Sequence, residues 1–322
     1  MTNQVISNAV RSSSQQDAQR LGRWLLLPLA AVLLSACNAV PIPVITPPPT
    51  PVVGKTVPVV VKVAPKIALV LGGGGTRGFA HVGVIKALEA QGIYPDIIVG
   101  TSVGSAIGAL YAAGFTGFQL QEMSIPMKEE RVVDWSWPNR GLFSGKPLQY
   151  FINQSVKNVP LEKMRRTLAI VATDLASGEK IVFRTGNAGV AVSASCAVPG
   201  VFQPVVINGK SYVDGGLVRP VPASDARTLG ADFVIAVNIS NLPQNNKTDT
   251  TVDVLMQTFD IMSQTINRYE LANADIVIRP VTREINQGNL DDRHLAILEG
   301  EKAVAAILPE LKAKLEKLRR ER

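Results

Sequence analysis

Residues 96–114 read DIIVGTSVGSAIGALYAAG. Ile97 to Val99 form an apolar run suited to a buried strand, and Val103 to Ala113 set small and apolar residues at helical spacing before Gly114. Between them, Gly100-Thr101-Ser102-Val103-Gly104 matches GxSxG. That motif needs a strand that turns abruptly into a helix. The serine is then held in strained backbone geometry with its oxygen exposed, and the two glycines let the chains approach. GxSxG is common by chance, so the strand before it and the helix after it carry the weight. Ser102 is the candidate nucleophile, with a plain structural turn as the alternative.

Working outward, residues 66–92 repeat the pattern as KIALVLGGGG followed by TRGFAHVGVIKALEAQG: a buried strand, a glycine loop and a helix that Gly92 ends. Strand, loop, helix, strand, turn, helix opens a parallel α/β sheet. Apolar runs at 168–173, 180–184, 232–239 and 274–280 supply further expected strands, and helices are expected near 146–158, 186–196, 221–229, 251–272 and 291–317. Residues 115–145, with Trp135, Trp137 and Pro138, show no clear period and are expected to form a flap over the site.

A nucleophilic serine needs a base, and donors for the oxyanion that forms on its substrate. The chain has two histidines. His81 falls inside the first helix, where packing or a helix-end contact is its expected role. His294, in DDRHL, stays open as the last member of a serine–acid–histidine order. The other candidate base is Asp214 in VDGGLVRP, because Gly215 and Gly216 permit tight approach to a second loop. Taken alone, DGG is more often a simple turn.

Oxyanion donors are expected from the backbone N–H groups of Gly72 to Gly75, just before a helix N-terminus that favours negative charge. Gly73, Gly75 and Gly78 also satisfy GxGxxG. A dinucleotide site would need an acid at the far end of the second strand, but Asp96 opens that strand and the Ser102 turn closes it. No nucleotide cofactor is expected, nor any metal, since no ligand cluster stands out.

Four segments in register carry a family resemblance: GGGGTRGFAHVGVIKALE, GTSVGSAIGALYAAG, ASCAVPGVFQPV and VDGG. Over residues 66–285 the chain resembles the patatin-like phospholipases, in particular bacterial members related to neuropathy target esterase. The resemblance implies an α/β fold, a three-layer α/β/α sandwich with a mainly parallel central sheet. It further implies a Ser102–Asp214 dyad without histidine and an oxyanion hole built from Gly73, Gly74, Gly75 and Arg77. In that hole Gly74 and Gly75 supply N–H groups, and Arg77 assists them or binds a lipid phosphate. Gly78, Gly100, Gly104, Gly215 and Gly216 are its motif glycines. Cys196 stands where a small residue such as serine is expected, which reads as a packing change. The implied activity is hydrolysis of acyl esters of membrane phospholipid or lysophospholipid. A non-catalytic lipid-binding lipoprotein, or a thioesterase or carboxylesterase on soluble substrates, are the alternatives.

The two ends of the 322-residue chain depart from globular composition. Arg11, Arg20 and Arg23 precede the uncharged run WLLLPLAAVLLSA at 24–36. This run is too short to cross a hydrocarbon core of about 30 Å, so residues 1–36 read as an export signal. Leu34-Ser35-Ala36-Cys37 resembles the lipobox of bacterial lipoproteins, in which the cysteine is diacylated and becomes the new N-terminus. An ordinary secretory signal cut after Ala36 is the plainer alternative. Only Cys37 and Cys196 are present, so a lipidated Cys37 leaves no pair for an internal disulfide. Asn38 after the cysteine favours, by resemblance to sorting rules, the periplasmic face of the outer membrane of a diderm bacterium.

Residues 37–65 carry eight prolines, including PPPTP at 47–51, and read as an extended tether that stands the domain off the membrane. Residues 66–285 then form the catalytic domain and 286–322 a helical extension. Without the signal segment the chain has 30 basic and 25 acidic residues. This mild excess lacks the basic patch with interleaved aromatics of a nucleic-acid binder, so no nucleic-acid partner is expected. Six of the basic residues fall in LKAKLEKLRRER at 311–322, which reads as a solvated helix end or a contact for anionic headgroups.

Overall fold

The structure is a computed structural model that describes residues 64–126, 141–240, 243, 248–285 and 290–321. The expected signal segment, Cys37, nearly all of the tether and residues 127–140 of the expected flap lie outside the described residues.

Strand β1 (Ile67–Leu71) leads through the glycine loop into α1 (Phe79–Ala90), and β2 (Ile97–Thr101) leads through Ser102 into α2 (Val103–Ala113). Next come α3 (Gly117–Ser124), β3 (Gly141–Phe143), α4 (Lys146–Ser155), β4 (Thr167–Asp174), β5 (Lys180–Phe183) and α5 (Ala188–Ser195). The chain continues through β6 (Gly200–Phe202), β7 (Val205–Ile207), β8 (Lys210–Asp214), α6 (Ala223–Thr228), β9 (Phe233–Val237), α7 (Thr251–Glu270), β10 (Ile276–Ile278) and α8 (Arg293–Arg320).

The main sheet runs β10-β9-β1-β2-β4-β8-β7, with β5 also paired to β4. From β10 to β4 every pairing is parallel, and β5, β8 and β7 join antiparallel. β1, β2 and β9 are buried at every position, as strands covered on both faces must be. Side chains alternate between the faces. Ile67, Leu69 and Leu71 pack with α1, α2 and α8, whereas Ala68 and Val70 pack with Ala223 and Ala226 of α6. The α6 face is built largely of alanine and valine, which lets that short helix lie close. The result is the expected three-layer α/β/α fold.

Two expectations change. Residues 115–145 are not a featureless flap throughout, since Gly117–Ser124 is helix α3 and Gly141–Phe143 is a strand paired in parallel with β6. α3 is short and buries only Gly117, Leu120 and Ser124, too few for a readable period. Its signature was the capping box, in which the Gln119 N–H donates to Thr116 Oγ1 (3.2 Å) and the Thr116 N–H to Gln119 Oε1 (2.9 Å).

The C-terminal helix belongs to the domain instead of extending it. α8 lies across α1, and a side chain on Gly83 or on Gly300 would run into the Ile297 or Ala80 carbonyl of the other helix. Ala296, Ile297, Val304, Leu311 and Leu315 are buried in this contact. Each large member contributes about 1.5–3 kcal/mol of burial, and the described residues belong to one compact unit.

Candidate active site

Ser102 stands at the C-terminal end of β2 as the N-cap of α2, with φ 53° and ψ −130°. Such a conformation costs a non-glycine residue about 1–3 kcal/mol, so the surroundings must hold it. The Ser102 N–H donates to Ser195 Oγ (2.9 Å), and that hydroxyl donates onward to the Val171 carbonyl (2.6 Å). The Ser102 carbonyl accepts from the Ser105 N–H (2.8 Å) and from Ser105 Oγ (2.6 Å). Gly104 lets the start of α2 press on β1, because a side chain there would overlap the Leu71 carbonyl. Gly100 likewise leaves room for Gly104 and Ser105 to lie against β2.

Asp214 ends β8. Its placement follows from register on β4, the strand between it and β2. Thr101 pairs with Val171 and Asp214 with Ala172, so Ser102 and Asp214 flank β4 at nearly the same level. A tight turn at Asn208-Gly209, both at positive φ, joins β7 to β8 and sets the pairing of those two strands. The Asp214 N–H donates to the Ala197 carbonyl (2.9 Å), and Oδ1 accepts from the Gly216 N–H (2.7 Å). Gly215 packs against the Val171 carbonyl.

The second carboxylate oxygen, Oδ2, is buried with no group in hydrogen-bond geometry. Burial is the main influence on Asp214 and raises its pKa from 3.8 to about 6. The Ser102 hydroxyl and the Gly216 N–H pull the other way. The Ser102 hydroxyl therefore faces the carboxyl closely enough to affect its ionisation, yet outside ideal hydrogen-bond geometry.

The glycine loop corrects one expectation. Gly73 lines the cavity, but its N–H donates to the Pro220 carbonyl (3.0 Å) and so is not an oxyanion donor. The N–H groups of Gly74 and Gly75 have no acceptor among the described residues. Arg77 is 1% exposed, and its Nε donates to the Gly74 carbonyl (2.9 Å). Because the peptide is planar and trans, fixing that carbonyl fixes the Gly75 N–H in the opposite direction. Arg77 Nη2 pairs with Asp260 Oδ1 (3.4 Å), while Nη1 is buried without a partner. Desolvation lowers the Arg77 pKa and Asp260 opposes that shift. Gly78 lets the start of α1 meet Val103 of α2.

Neither histidine is placed to act as base to Ser102. His81 is buried, its Nε2–H donates to the Gly72 carbonyl (2.8 Å), and burial lowers its pKa to about 4, so it is a neutral support under the loop. His294 is exposed on α8 and lies outside the cavity lining. Cys196 lines the cavity, with Sγ 4.0 Å from Ser105 Oγ, and burial raises its pKa. The thiol is held protonated beside Ser102.

Ser102, Asp214 and the glycine loop open on a cavity of about 460 Å³ whose walls include Leu110, Phe151, Ile152, Phe202, Met256 and Phe259. The α7 residues Met256, Phe259, Asp260 and Ser263 belong to no motif and were not legible as site residues. Ser195, which orients the elbow, lies within the ASCAVPGVFQPV segment, but nothing there marked it as a support for Ser102. No cluster of three potential metal ligands occurs among the described residues.

The geometry is that of a three-layer α/β/α protein with a serine held at a strand-to-helix elbow opposite a buried carboxylate. Residues 69–227, just under half of the chain, match the family model for patatin-like phospholipase. An uncharacterized NTE family protein of Mycobacterium tuberculosis is 34% identical over 179 residues, 55% of this chain and 50% of that one. Patatin-like phospholipase domain-containing protein 6 of Homo sapiens is 36% identical over 183 residues, 54% of this chain and 13% of that one. The chain thus spans about half the length of the mycobacterial relative and a small fraction of the human one. The crystal structure of VipD from Legionella pneumophila superposes with a TM-score of 0.51 at 13% identity, covering 77% of this chain and 67% of that one, a likeness of fold.

Proposed function

We propose that the protein is a lipid-anchored serine esterase that hydrolyses acyl esters of membrane phospholipid or lysophospholipid, with Ser102 as nucleophile and Asp214 as base. The observation that carries this reading is the unpartnered, buried Oδ2 of Asp214 beside a strained serine. A pure binding protein would carry both features at a cost in stability and gain nothing from them.

The Ser102 proton passes to Asp214 while Oγ bonds to the ester carbonyl carbon. Negative charge on the carbonyl oxygen is met by the N–H groups of Gly74 and Gly75, each such donor being worth about 3 kcal/mol. The tetrahedral species collapses, and the leaving alcohol takes the proton back from Asp214. Water then repeats the sequence on the acyl-enzyme, with Asp214 again as base, and releases the fatty acid. The apolar cavity supports a fatty acyl group as the portion retained on the serine. Arg77 Nη1, a buried cationic donor on the same cavity, suits a lipid phosphate. The names of the relatives support the same substrate class. The LSAC tetrad supports anchoring through a diacylated Cys37, with the protein on the periplasmic face of the outer membrane.

The test is labelling by a fluorophosphonate probe followed by intact mass. One adduct is expected on the wild type and none on Ser102→Ala, with ester hydrolysis lost in both Ser102→Ala and Asp214→Asn while the fold persists. An adduct on Ser102→Ala, or wild-type turnover in either variant, would sink the dyad. Preference for monomeric short-chain esters over lipid aggregates would instead favour a soluble-substrate esterase.

A further inference from the structure

Helix α7 is amphipathic in the reverse sense for a helix on the surface of a globular domain. Its inward face carries Asp260, Ser263, Asn267 and Glu270, exposed by 8%, 8%, 4% and 5%. Three of these are engaged inside the protein: Asp260 with Arg77, Asn267 with Ser240, and Glu270 with Ser224 and Arg219. Its outward face carries Val254 (51% exposed), Ile261 (51%), Met262 (40%) and Tyr269 (75%). Seven or eight residues separate Val254 from Ile261 and Met262, and Ile261 from Tyr269, so at the helical repeat all four share one stripe. Thr258 and Thr265 fill the stripe, and Arg268 is its one exposed charge among the described side chains.

Three observations say what covers this stripe. First, the inward face of the same helix walls the cavity through Met256, Phe259, Asp260 and Ser263, so whatever lies against the outside is one helix thickness from the cavity that holds Ser102. Second, the stripe joins apolar side chains to a cation and carries no exposed carboxylate, which complements acyl chains bounded by phosphates. Its apolar area, on the order of 400 Å², is below the roughly 800 Å² per partner that a stable protein interface buries.

Third, the chain that precedes the domain is long enough to let this face reach a membrane. Lys66 enters β1 at the edge of the sheet opposite the site. The 28 residues from Asn38 to Pro65 span up to about 85 Å at the polyproline rise of 3.1 Å per residue. A domain of this size has a radius of gyration of only about 18 Å. An anchor attached at the far edge therefore still permits the site edge to turn onto the same membrane.

We infer that the outward face of α7 seats on a phospholipid surface, with Val254, Ile261, Met262 and Tyr269 among the acyl chains and Arg268 at the phosphates, so that lipid enters the cavity past this helix. The inference rests on the reading of the site as a lipid esterase, and it adds the surface through which that site meets its substrate.

The test uses the full chain in a Cys37→Ser, Cys196→Ser background, with an environment-sensitive nitrobenzoxadiazole label at Met262→Cys or, in a second protein, at Glu316→Cys on the exposed basic end of α8. Vesicles of phosphatidylcholine with a minority of phosphatidylglycerol should shift the emission of the label at 262 to the blue and leave that at 316 unchanged. No shift at 262, or a shift at 316 in its place, overturns the inference, whatever else holds the protein to the vesicle. A blue shift without vesicles, together with a dimer in sedimentation, assigns the stripe to a second copy and also overturns it.

With the native cysteines restored, Val254→Ser/Ile261→Ser/Met262→Ser should lose roughly tenfold in hydrolysis of vesicle phospholipid, equivalent to about 1.4 kcal/mol, and keep its rate on a soluble short-chain ester. Equal losses on both substrates count against docking. If the wild type hydrolyses neither ester, the catalytic reading fails, and the label at 262 still decides the docking alone.

Discussion

In the proposed dyad Asp214 and Ser102 form an acid–alcohol pair, and the carboxyl environment would set the working pH. Burial raises the Asp214 pKa to about 6, and only the ionised form accepts the serine proton. The rate on a soluble ester should therefore climb about tenfold per pH unit up to about 6 and level off above it. Initial rates across that range check this, and a limb near the ordinary carboxylate value of about 4 would show that burial does not raise the pKa of the group that carries the rate. Asp214→Asn should lower the rate by about 10²–10⁴.

The same shift has a consequence for stability. Between 3.8 and about 6 the native protein keeps a proton that the unfolded chain has lost. Stability from this group is then present at low pH and declines as pH rises through about 6. Asp214→Asn, neutral throughout, should melt near the wild-type temperature in acid and above it at mildly alkaline pH. The expected gain is on the order of 3 kcal/mol, read by thermal melts at both pH values.

At the scale of elements, two contacts matter most for the site. α1 starts directly after the glycine loop, and its orientation is set by the crossing with α8 at Gly83 and Gly300. Gly300→Val must push the helices apart and should cost about 1–3 kcal/mol in urea unfolding, whereas an unchanged midpoint would mean that the crossing yields freely. α7 reaches the loop by a different route, through Asp260 to Arg77. Asp260→Ala leaves a buried guanidinium without its carboxylate and should destabilise the fold by about 3 kcal/mol. It should also lower turnover on soluble esters, because the brace on the Gly74 carbonyl loosens. Wild-type kcat in a folded Asp260→Ala protein would separate α7 from the oxyanion loop.

For the whole molecule, the parallel sheet puts the serine, the glycine loop and the cavity at the C-terminal edge of its strands, and the incoming chain at the other edge. No helix among the described residues is long and apolar enough to cross a membrane. Attachment through Cys37 is the proposed means of retention, on the strength of the LSAC tetrad. The full chain expressed in a diderm bacterium should carry diacyl mass and sediment with membranes, while Cys37→Ser should lose the acyl mass. Wild-type protein without acyl mass would leave the plainer secretory signal as the reading of residues 1–36.

Continuous apolar strands and glycine punctuation made the parallel α/β sheet legible in the sequence, and the strand-turn-helix context of GTSVG put Ser102 forward as a candidate, because each rests on local periodicity or local turn geometry. Asp214 and the three-layer arrangement came through the family resemblance. The Asn208-Gly209 hairpin and the Thr116-Gln119 cap carry local signals of the same kind, although neither was among the features read from the sequence. Contacts between distant segments were decided only in the tertiary structure. Pro220 occupies the Gly73 N–H, Ser195 holds the elbow, Asp260 braces Arg77 from 183 residues away, and α8 is built into the core. The reason is physical: a backbone donor is free or occupied according to which carbonyl the fold brings to it, and an amphipathic helix shows in sequence that it has two faces, but not which of them meets the protein.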